Sequence, residues 1–482
     1  MLQSALLRNM ARIAISTGLT RLDQPTSNPS AVSLRRPLTR RDLAQHASGI
    51  AVLLAGAACG RATGPASSGD AGGGRKALPP AKVTFFTHWG AQHQLEGQQQ
   101  TLAAFEQDNP GITVEMVTNA ATAEKVVSAV AAGEPPDLVA QSAGRLIPLA
   151  LKSVWRPLED MMKGTSVVKR ENYSDVQLKL FTWKGKLYGI PAFEHSGLPA
   201  LAYNIAHFEE VGLDPSKPPR TPTELMATHE KLTSIESGSI RRLGIDPRDA
   251  SGGGYGSWAA VWGVTWWDPD ALKLELNQPG LIDVHNFVVS FYRQDRATQI
   301  AEFRKQYATW TQAKSGIALG TQSMQLNGYW TPGELRMLPE KPARMGYTWW
   351  PNPKAEKVAI AQGWSGAIPA DAKLPEHGWR LLEFFASVKG GQIMFDTIGW
   401  LNGSKQFLRE GKFDAVPDLK FFLDMPAKAD RSEAGYATPI QGEIDEEYQK
   451  GMTAVIAGQQ TVKAMFDDLQ TRMKQKLEEA LQ

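Results

Sequence analysis

Between residues 82 and 142, short β-rich runs alternate with helical ones, and that alternation restricts the chain to a sheet covered by helices. Lys82-Val83-Thr84-Phe85-Phe86-Thr87 reads as a first strand, Ile112 to Val117 as a second, and Asp137 to Ser142 as a third with its exit. Leu95 to Asn109 reads as the first intervening helix. Leu95, Leu102, Ala103 and Phe105 form its apolar side, and Asn109-Pro110-Gly111 ends it. Glu124 to Ala132 reads as another helix, stopped at Gly133. Strands separated by helices imply a largely parallel α/β sheet, and ligands of such sheets bind at the carboxyl ends of the strands. That rule gathers His88, Trp89, Gln141 and Ser142 at one mouth.

Further along, Lys184 to Pro191 reads as a hairpin leading into a crossing strand, and Leu201-Ala202-Tyr203-Asn204 as a strand. Ala206 to Val211 reads as a short helix ended by Gly212. Thr221-Pro222-Thr223-Glu224 is a helix start with proline at the first helical position. Residues 251–268 are rich in Gly, Tyr and Trp. Glu443 to Ile456 and Thr461 to Leu481 read as two closing helices. No internal repeat stands out.

Ahead of this body lies Arg40-Arg41, then an apolar run from Gly49 to Ala58, then Cys59, the single cysteine of the 482-residue chain. A basic stretch, an apolar core and small residues before a cleavage point make an export signal over residues 1–58. The paired arginines resemble the twin-arginine address. Cys59 directly after small residues resembles a lipobox, in which the thiol takes a lipid; Gly56 stands where that motif usually has leucine. The plainer alternative is an incidental cysteine, which would have no disulfide partner. The small-residue tract from Thr63 to Gly74 makes residues 59–80 a flexible tether. Residues 1–58 hold seven of the basic residues and two of the acidic ones, so their removal takes the formal net charge from +2 to −3. A chain of that charge shows no nucleic-acid footprint, which needs clustered Lys and Arg. The apolar run is also shorter than the ~20 residues that cross a bilayer.

Motifs for catalysis fall short. Gly363-Trp364-Ser365-Gly366-Ala367 has alanine where a nucleophile elbow needs its second glycine. His229-Glu230-Lys231-Leu232-Thr233 lacks the second histidine of a zinc helix. Gly252 to Ser257 lacks the spacing and the preceding strand of a dinucleotide site. Glu443, Asp445, Glu446 and Glu447 at helical spacing read as a solvated face. Eight scattered histidines make no metal constellation. The sequence therefore calls for no cofactor.

Taken in order, several segments resemble the carbohydrate-type extracellular solute-binding proteins of ABC importers, the maltose-binding-protein class. They include Val83 to Phe86, Asn109 to Ile112, Ala131 to Leu138, Gly185 to Pro191, Ala202 to Asn204 and Val211 to Pro215. Gln325 to Trp330, Gly366 to Lys373 and Gln460 to Leu477 follow. Thr221 to Glu224 departs from the family, which usually places Trp before the acidic residue, and the stretch from Trp258 to Trp267 is less typical. The resemblance implies an α/β, two-lobed periplasmic-binding-protein-like fold, its hinge-linked lobes closing on a ligand cleft. One lobe would hold residues 81–190 and 361–424, the other 191–360 and 425–482. It implies a monomer that captures a mono- or oligosaccharide and passes it to a membrane permease. Such a protein works outside the cytoplasmic membrane, anchored by lipid. The other classes open at this point are a secreted carbohydrate-active enzyme and a peptide- or polyamine-binding protein, the latter expected to have a cleft dominated by acidic residues.

A sugar site needs flat aromatic platforms and side chains that donate and accept hydrogen bonds. All 14 tryptophans lie between residues 89 and 400. Trp89, Trp258, Trp262, Trp330 and Trp364 fall in loops at strand ends, the last two at positions matching the family's cleft aromatics. Trp155, Trp183, Trp310 and Trp379 read as core. By the same resemblance Gln141 and Ser142, Glu194 and His195, and Tyr436 and Gln441 are polar and aromatic ligand contacts, whereas Asp137 reads as a loop brace.

Overall fold

The computed structural model describes residues 77–195, 199–293, 295–338 and 344–482, and Leu78–Gln482 gathers into one unit. The export signal, Cys59 and the tether as far as residue 76 lie outside the described residues. The expected alternation is present as β1 (Ala81–Phe86), α1 (Gln92–Asp108), β2 (Ile112–Val117), α2 (Ala123–Ala131), β3 (Leu138–Ser142) and α3 (Ala143–Leu151). β1 runs parallel to both neighbours, with Val83 opposite Val114 and Phe85 opposite Leu138. Thr122 caps α2 by accepting the Lys125 N–H at 3.3 Å.

A second sheet is built from β4 (Ala200–Asn204), β5 (Met324–Asn327) and β6 (Met345–Thr348), with α4 (Trp330–Arg336) following β5. Here the pairing differs from that of the first sheet. Both β5 and β6 run antiparallel to β4, with Leu326 opposite Leu201 and Tyr347 opposite Ala202. β4 is buried along its whole length. A strand buried on both faces shows no alternation, so its residues carry no record of its neighbours' direction.

The chain then returns to the first sheet. β7 (Trp364–Ala367) adds antiparallel to β3, giving the order β7-β3-β1-β2. α5 (Pro375–Ala386) and α6 (Val388–Ile398) cover this sheet, and α7 (Gln441–Ile456) and α8 (Val462–Leu481) close the chain. α5 approaches β3 so closely that a Cβ on Gly378 would stand 2.1 Å from the Asp137 carbonyl oxygen. Phe193 binds sheet to helix, stacked on Phe85 at 5.4 Å and tilted against Phe385 at 4.7 Å. Beyond α6 the packing partner changes. Phe422 lies edge-on to Tyr347 at 5.2 Å and Phe421 to Trp349 at 5.9 Å, both on the second sheet's side.

Local chemistry explains the connections. The hairpin of Thr182–Trp183 with Lys186–Leu187 turns through Lys184 and Gly185, both at positive φ (47° and 77°) as a two-residue turn between strands requires. The helix start at Thr221 is a full capping box, its hydroxyl accepting the Glu224 N–H at 3.3 Å and the Glu224 carboxylate accepting the Thr221 N–H at 3.0 Å. Asp137 braces as expected. Its carboxylate accepts the Thr84 N–H and the Leu374 N–H, each at 2.9 Å, tying β1 to the loop before α5.

Replacing Asp137 by alanine strips both donors of their acceptor. At ~1–3 kcal/mol per orphaned group, the expected loss is about 2–6 kcal/mol of unfolding free energy. Urea titration of Asp137→Ala measures it, and a loss below about 1 kcal/mol would remove the brace from the account.

Candidate functional site

The carboxyl end of β1 opens into Thr87-His88-Trp89 before α1 begins, while β3 ends at Ser142 directly opposite Trp364 of β7. His88 stacks on Trp364 at 4.3 Å between ring centroids, with the planes 20° apart. Trp89 packs against Trp364 at 5.0 Å and Trp400 at 4.8 Å. From the second sheet, Trp330 opens α4 just after β5. A Cβ on Gly328 would fall 2.1 Å from the Trp330 ring, so glycine is what lets that indole fold back over its own chain. Trp310 completes the wall, 6.1 Å from Trp330. These five tryptophans line a cleft of about 350 Å³ together with His88, His93, Gln94, Asn119, Glu194 and Glu334.

The cleft continues. A chamber of about 300 Å³ shares Glu194, Trp310, Trp330 and Trp364 with it and adds Ser142, Ala250, Ser251 and Gln362. A third space of about 180 Å³ shares Gly144, Gln362 and Gly435 with the second, and brings in Tyr255, Trp266, Tyr436, Gln441 and Asp445. Aromatic faces and hydrogen-bonding side chains thus follow one groove.

Two carboxylates enter this aromatic cleft. Glu334 lies four residues after Trp330, hence on the same face of α4. One of its oxygens accepts the Trp400 indole N–H at 3.0 Å and the Gln94 amide at 3.4 Å, and the other is 3.9 Å from His93 Nε2. Glu194 is 7 % exposed and lines both larger chambers. Burial, and secondarily the Glu334 charge, pushes its carboxyl well above the usual range. Burial also takes His88 down to about 4, helped by the Arg145 guanidinium. Its imidazole is therefore neutral at pH 7, and Nδ1 accepts the Arg145 N–H at 3.1 Å. Arg145 itself sits 5.7 Å from the Trp364 ring.

Of the residues expected at the ligand, the structure brings Trp89, Ser142, Glu194, Trp330, Trp364, Tyr436 and Gln441 onto this groove. Four others sit elsewhere. Gln141 is fully buried in β3, its amide donating to the Ala121 carbonyl at 3.3 Å. His195 is buried, held near 4 by desolvation, with Nδ1 3.4 Å from the Gln177 amide. Trp258 is fully buried against Trp350 and donates to the Pro247 carbonyl at 3.0 Å, while Trp262 packs on Phe287 at 5.6 Å. Trp155, Trp183 and Trp379 are core, as read from the sequence. Trp310 is not: it is 47 % exposed at the cleft mouth. Nothing in its neighbours along the chain distinguishes it, because the cleft forms only when remote segments meet.

Glu334, His93, Gln94 and Trp400 were not anticipated. The spacing of Trp330 and Glu334 carries a signal for the first; Trp400 has none, since it follows α6 by a turn through Gly399. The near-motifs dissolve into structure. Ser365 is buried in β7 and donates to the Gln141 carbonyl at 3.0 Å, and His229 Nδ1 accepts the Ile245 N–H at 3.1 Å. Glu446 and Glu447 are bridged by Lys450 at 2.6 and 2.9 Å on α7. Among the described residues no three His, Cys, Asp or Glu are grouped to hold a metal.

Residues 100–420 match the family model described as bacterial extracellular solute-binding protein. The structure is also similar to solved structures of low sequence identity. With CpMnBP1 bound to mannobiose the TM-score is 0.73 at 22 % identity, over 81 % of this chain and 98 % of that one. With an ABC substrate-binding protein of Listeria monocytogenes in complex with cycloalternan it is 0.68 at 15 % identity, over 82 % and 98 %. With the maltose/maltodextrin-binding domain MalE of Bdellovibrio bacteriovorus bound to maltotriose it is 0.66 at 19 % identity, over 83 % and 100 %. The likeness gives the same two-lobed α/β fold.

Exposure of Trp310 can be checked in the unliganded protein. Trp310 is the most exposed of the described tryptophans, so Trp310→Ala should reduce the acrylamide-accessible part of the fluorescence, with the half-buried Trp330 and Trp364 keeping a smaller share. The expected change in stability is within about 0.5 kcal/mol. Unchanged quenching would place Trp310 away from the mouth.

Proposed function

We propose that this chain, which belongs to the bacterial extracellular solute-binding protein family, is the carbohydrate-capturing component of an ABC importer. It binds its ligand between two lobes and presents the closed form to a membrane permease, with no chemistry on the ligand. The observation that carries the reading is the groove itself. Trp89, Trp330 and Trp364 offer indole faces to the C–H faces of sugar rings, and Glu334, Gln94, Asn119, Ser142 and Gln441 offer polar atoms along the rim. Neighbours of the same fold bind mannobiose, maltotriose and cycloalternan, which supports an oligosaccharide. Three joined chambers have room for more than one ring.

In this reading the first lobe is centred on the β7-β3-β1-β2 sheet and the second on β5-β4-β6. Residues 417–424 go with the second lobe rather than the first, because Phe421 and Phe422 pack on Trp349 and Tyr347, whereas Phe407 and Phe413 keep the preceding helix against Phe395 of α6. The segments around Pro191 and Ala361 join the lobes, and closure between them is the switching mode of binding proteins. The protein acts as a monomer on the outer side of the membrane, delivered by the twin-arginine signal and held through lipidated Cys59. No helix among the described residues is long and apolar enough to cross a membrane.

A thermal-shift screen against neutral, amino and N-acetylated mono- and oligosaccharides tests the capture function. A ligand at ~100-fold above its dissociation constant adds about 2.7 kcal/mol. Recovery of the stabilising sugar unchanged is expected; recovery of a cleaved product would make the protein an enzyme, and no shift from any sugar would end the carbohydrate reading. Removing one platform, Trp330→Ala or Trp364→Ala, should weaken the identified sugar by about 2 kcal/mol, near thirtyfold. Cys59→Ala should move the protein from the membrane to the soluble fraction of its host; retention in the membrane would exclude the lipid as its anchor.

A further inference from the structure

Glu194 presents a physical problem that a neutral sugar does not solve. It is 7 % exposed, lines both larger chambers, and has no hydrogen-bond or ion-pair partner among the described residues. A second carboxylate, Glu334, lines the same cleft and is only 2 % exposed. No Lys or Arg is among the residues lining either chamber. Among the described residues, the cation at the cleft wall is Arg145, which is engaged with His88 and lies against the Trp364 ring. An ionised carboxylate held out of water without a counter-charge costs several kcal/mol, so such a group keeps its proton or waits for a cation. The walls around it are indole faces, the surfaces that attract a cation most strongly.

We propose that the ligand is a cationic carbohydrate, an amino sugar whose protonated nitrogen seats against Glu194 and Glu334 while the Trp89, Trp330 and Trp364 faces hold its rings. This rests on the carbohydrate reading and deepens it. Before the ligand enters, burial and the Glu334 charge both oppose ionisation of Glu194 and favour its protonated form. When the ammonium enters, the carboxyl O–H gives its proton to solvent and the carboxylate left behind pairs with the cation. One proton is released for each ligand bound as a cation. The other groups facing Glu194 are few. Tyr329 stays a phenol, its pKa raised above all by burial, and its hydroxyl donates to the Leu401 carbonyl at 3.2 Å. His88 is neutral at pH 7 and His195 is likewise held neutral by burial; His93 lies beside Glu334, across the chamber.

Isothermal titration calorimetry at pH 7, in two buffers of different ionisation enthalpy, tests this. The probes are glucosamine, galactosamine, mannosamine and the β-1,4-linked glucosamine disaccharide, each beside its neutral and N-acetylated counterparts, with spermidine as a sugar-free cation. An amine sugar should bind at least about tenfold more tightly than both counterparts and release close to one proton, the scale of a hydrogen bond to a charged group. Glu194→Gln should erase both the preference and the proton release. If that variant does not fold, the proton count of the unaltered protein decides. Equal or tighter binding of a neutral or N-acetylated sugar overturns the inference and leaves the carbohydrate reading intact. Binding of spermidine with no sugar bound overturns both. Failure of every amine sugar to bind overturns the inference.

Discussion

The antiparallel pairing of β7 with β3 is the constraint on which the rest of the molecule depends. It joins residues more than two hundred positions apart, setting Trp364 opposite Ser142 and Gly366 opposite Ala140. From its other side the same strand is held by Ile190, which exchanges both backbone hydrogen bonds with Gly366 at 3.1 and 2.8 Å. There is no room for a side chain between these layers: a Cβ on Gly366 would stand 2.2 Å from the Leu382 side chain. Register in a sheet leaves little freedom, since a slip of one residue sends every side chain to the opposite face. With this register Trp364 emerges at the mouth beside His88 and Trp89, and Ser365 is turned inward. A shifted strand would bury the indole and expose the serine.

The chemistry of the cleft follows from what that edge meets. The first sheet supplies His88, Trp89 and Trp364; the region of the second supplies Trp310, Trp330 and Glu334. Links already cross between them, from the Trp400 indole and the Gln94 amide to Glu334 and from the Tyr329 hydroxyl to the Leu401 carbonyl. Glu334 is therefore oriented from both sides, whereas Glu194 is left facing the space. Aromatic rings and carboxylates are a combination of broad use. The rings give area at low entropic cost, and the carboxylates select what can sit between them by charge and by hydrogen-bond geometry.

The first sheet was legible because its signals are local. β1, β2 and β3 announce themselves as short apolar runs, α1 ends at Asn109-Pro110-Gly111, and Thr221 to Glu224 carries its own cap. The second sheet was half legible: β4 could be read as a strand, but the antiparallel direction of β5 and β6 could not, because a fully buried strand leaves no alternation to read. At the site, Trp330 and Trp364 were recoverable by resemblance and Ser142 by its place at a strand end. Trp258 and Trp310 exchange the roles expected of them. Both are tryptophans in irregular surroundings, and only the packing of Trp350 and Phe287 over one, and the opening of the cleft beside the other, separates them.

The sequence by itself determined the alternation of strand and helix in the first sheet, the caps and turns, and the stock of indoles available for a ligand. These are properties of neighbouring residues, written in spacing and side-chain chemistry. Tertiary structure alone decided which indoles face the cleft, that Phe421 and Phe422 pack on the second sheet's side, and that Glu194 and Glu334 share one aromatic chamber. Those outcomes depend on contacts between segments separated by a hundred residues and more, and the energy of such a contact resides in neither segment until the two meet.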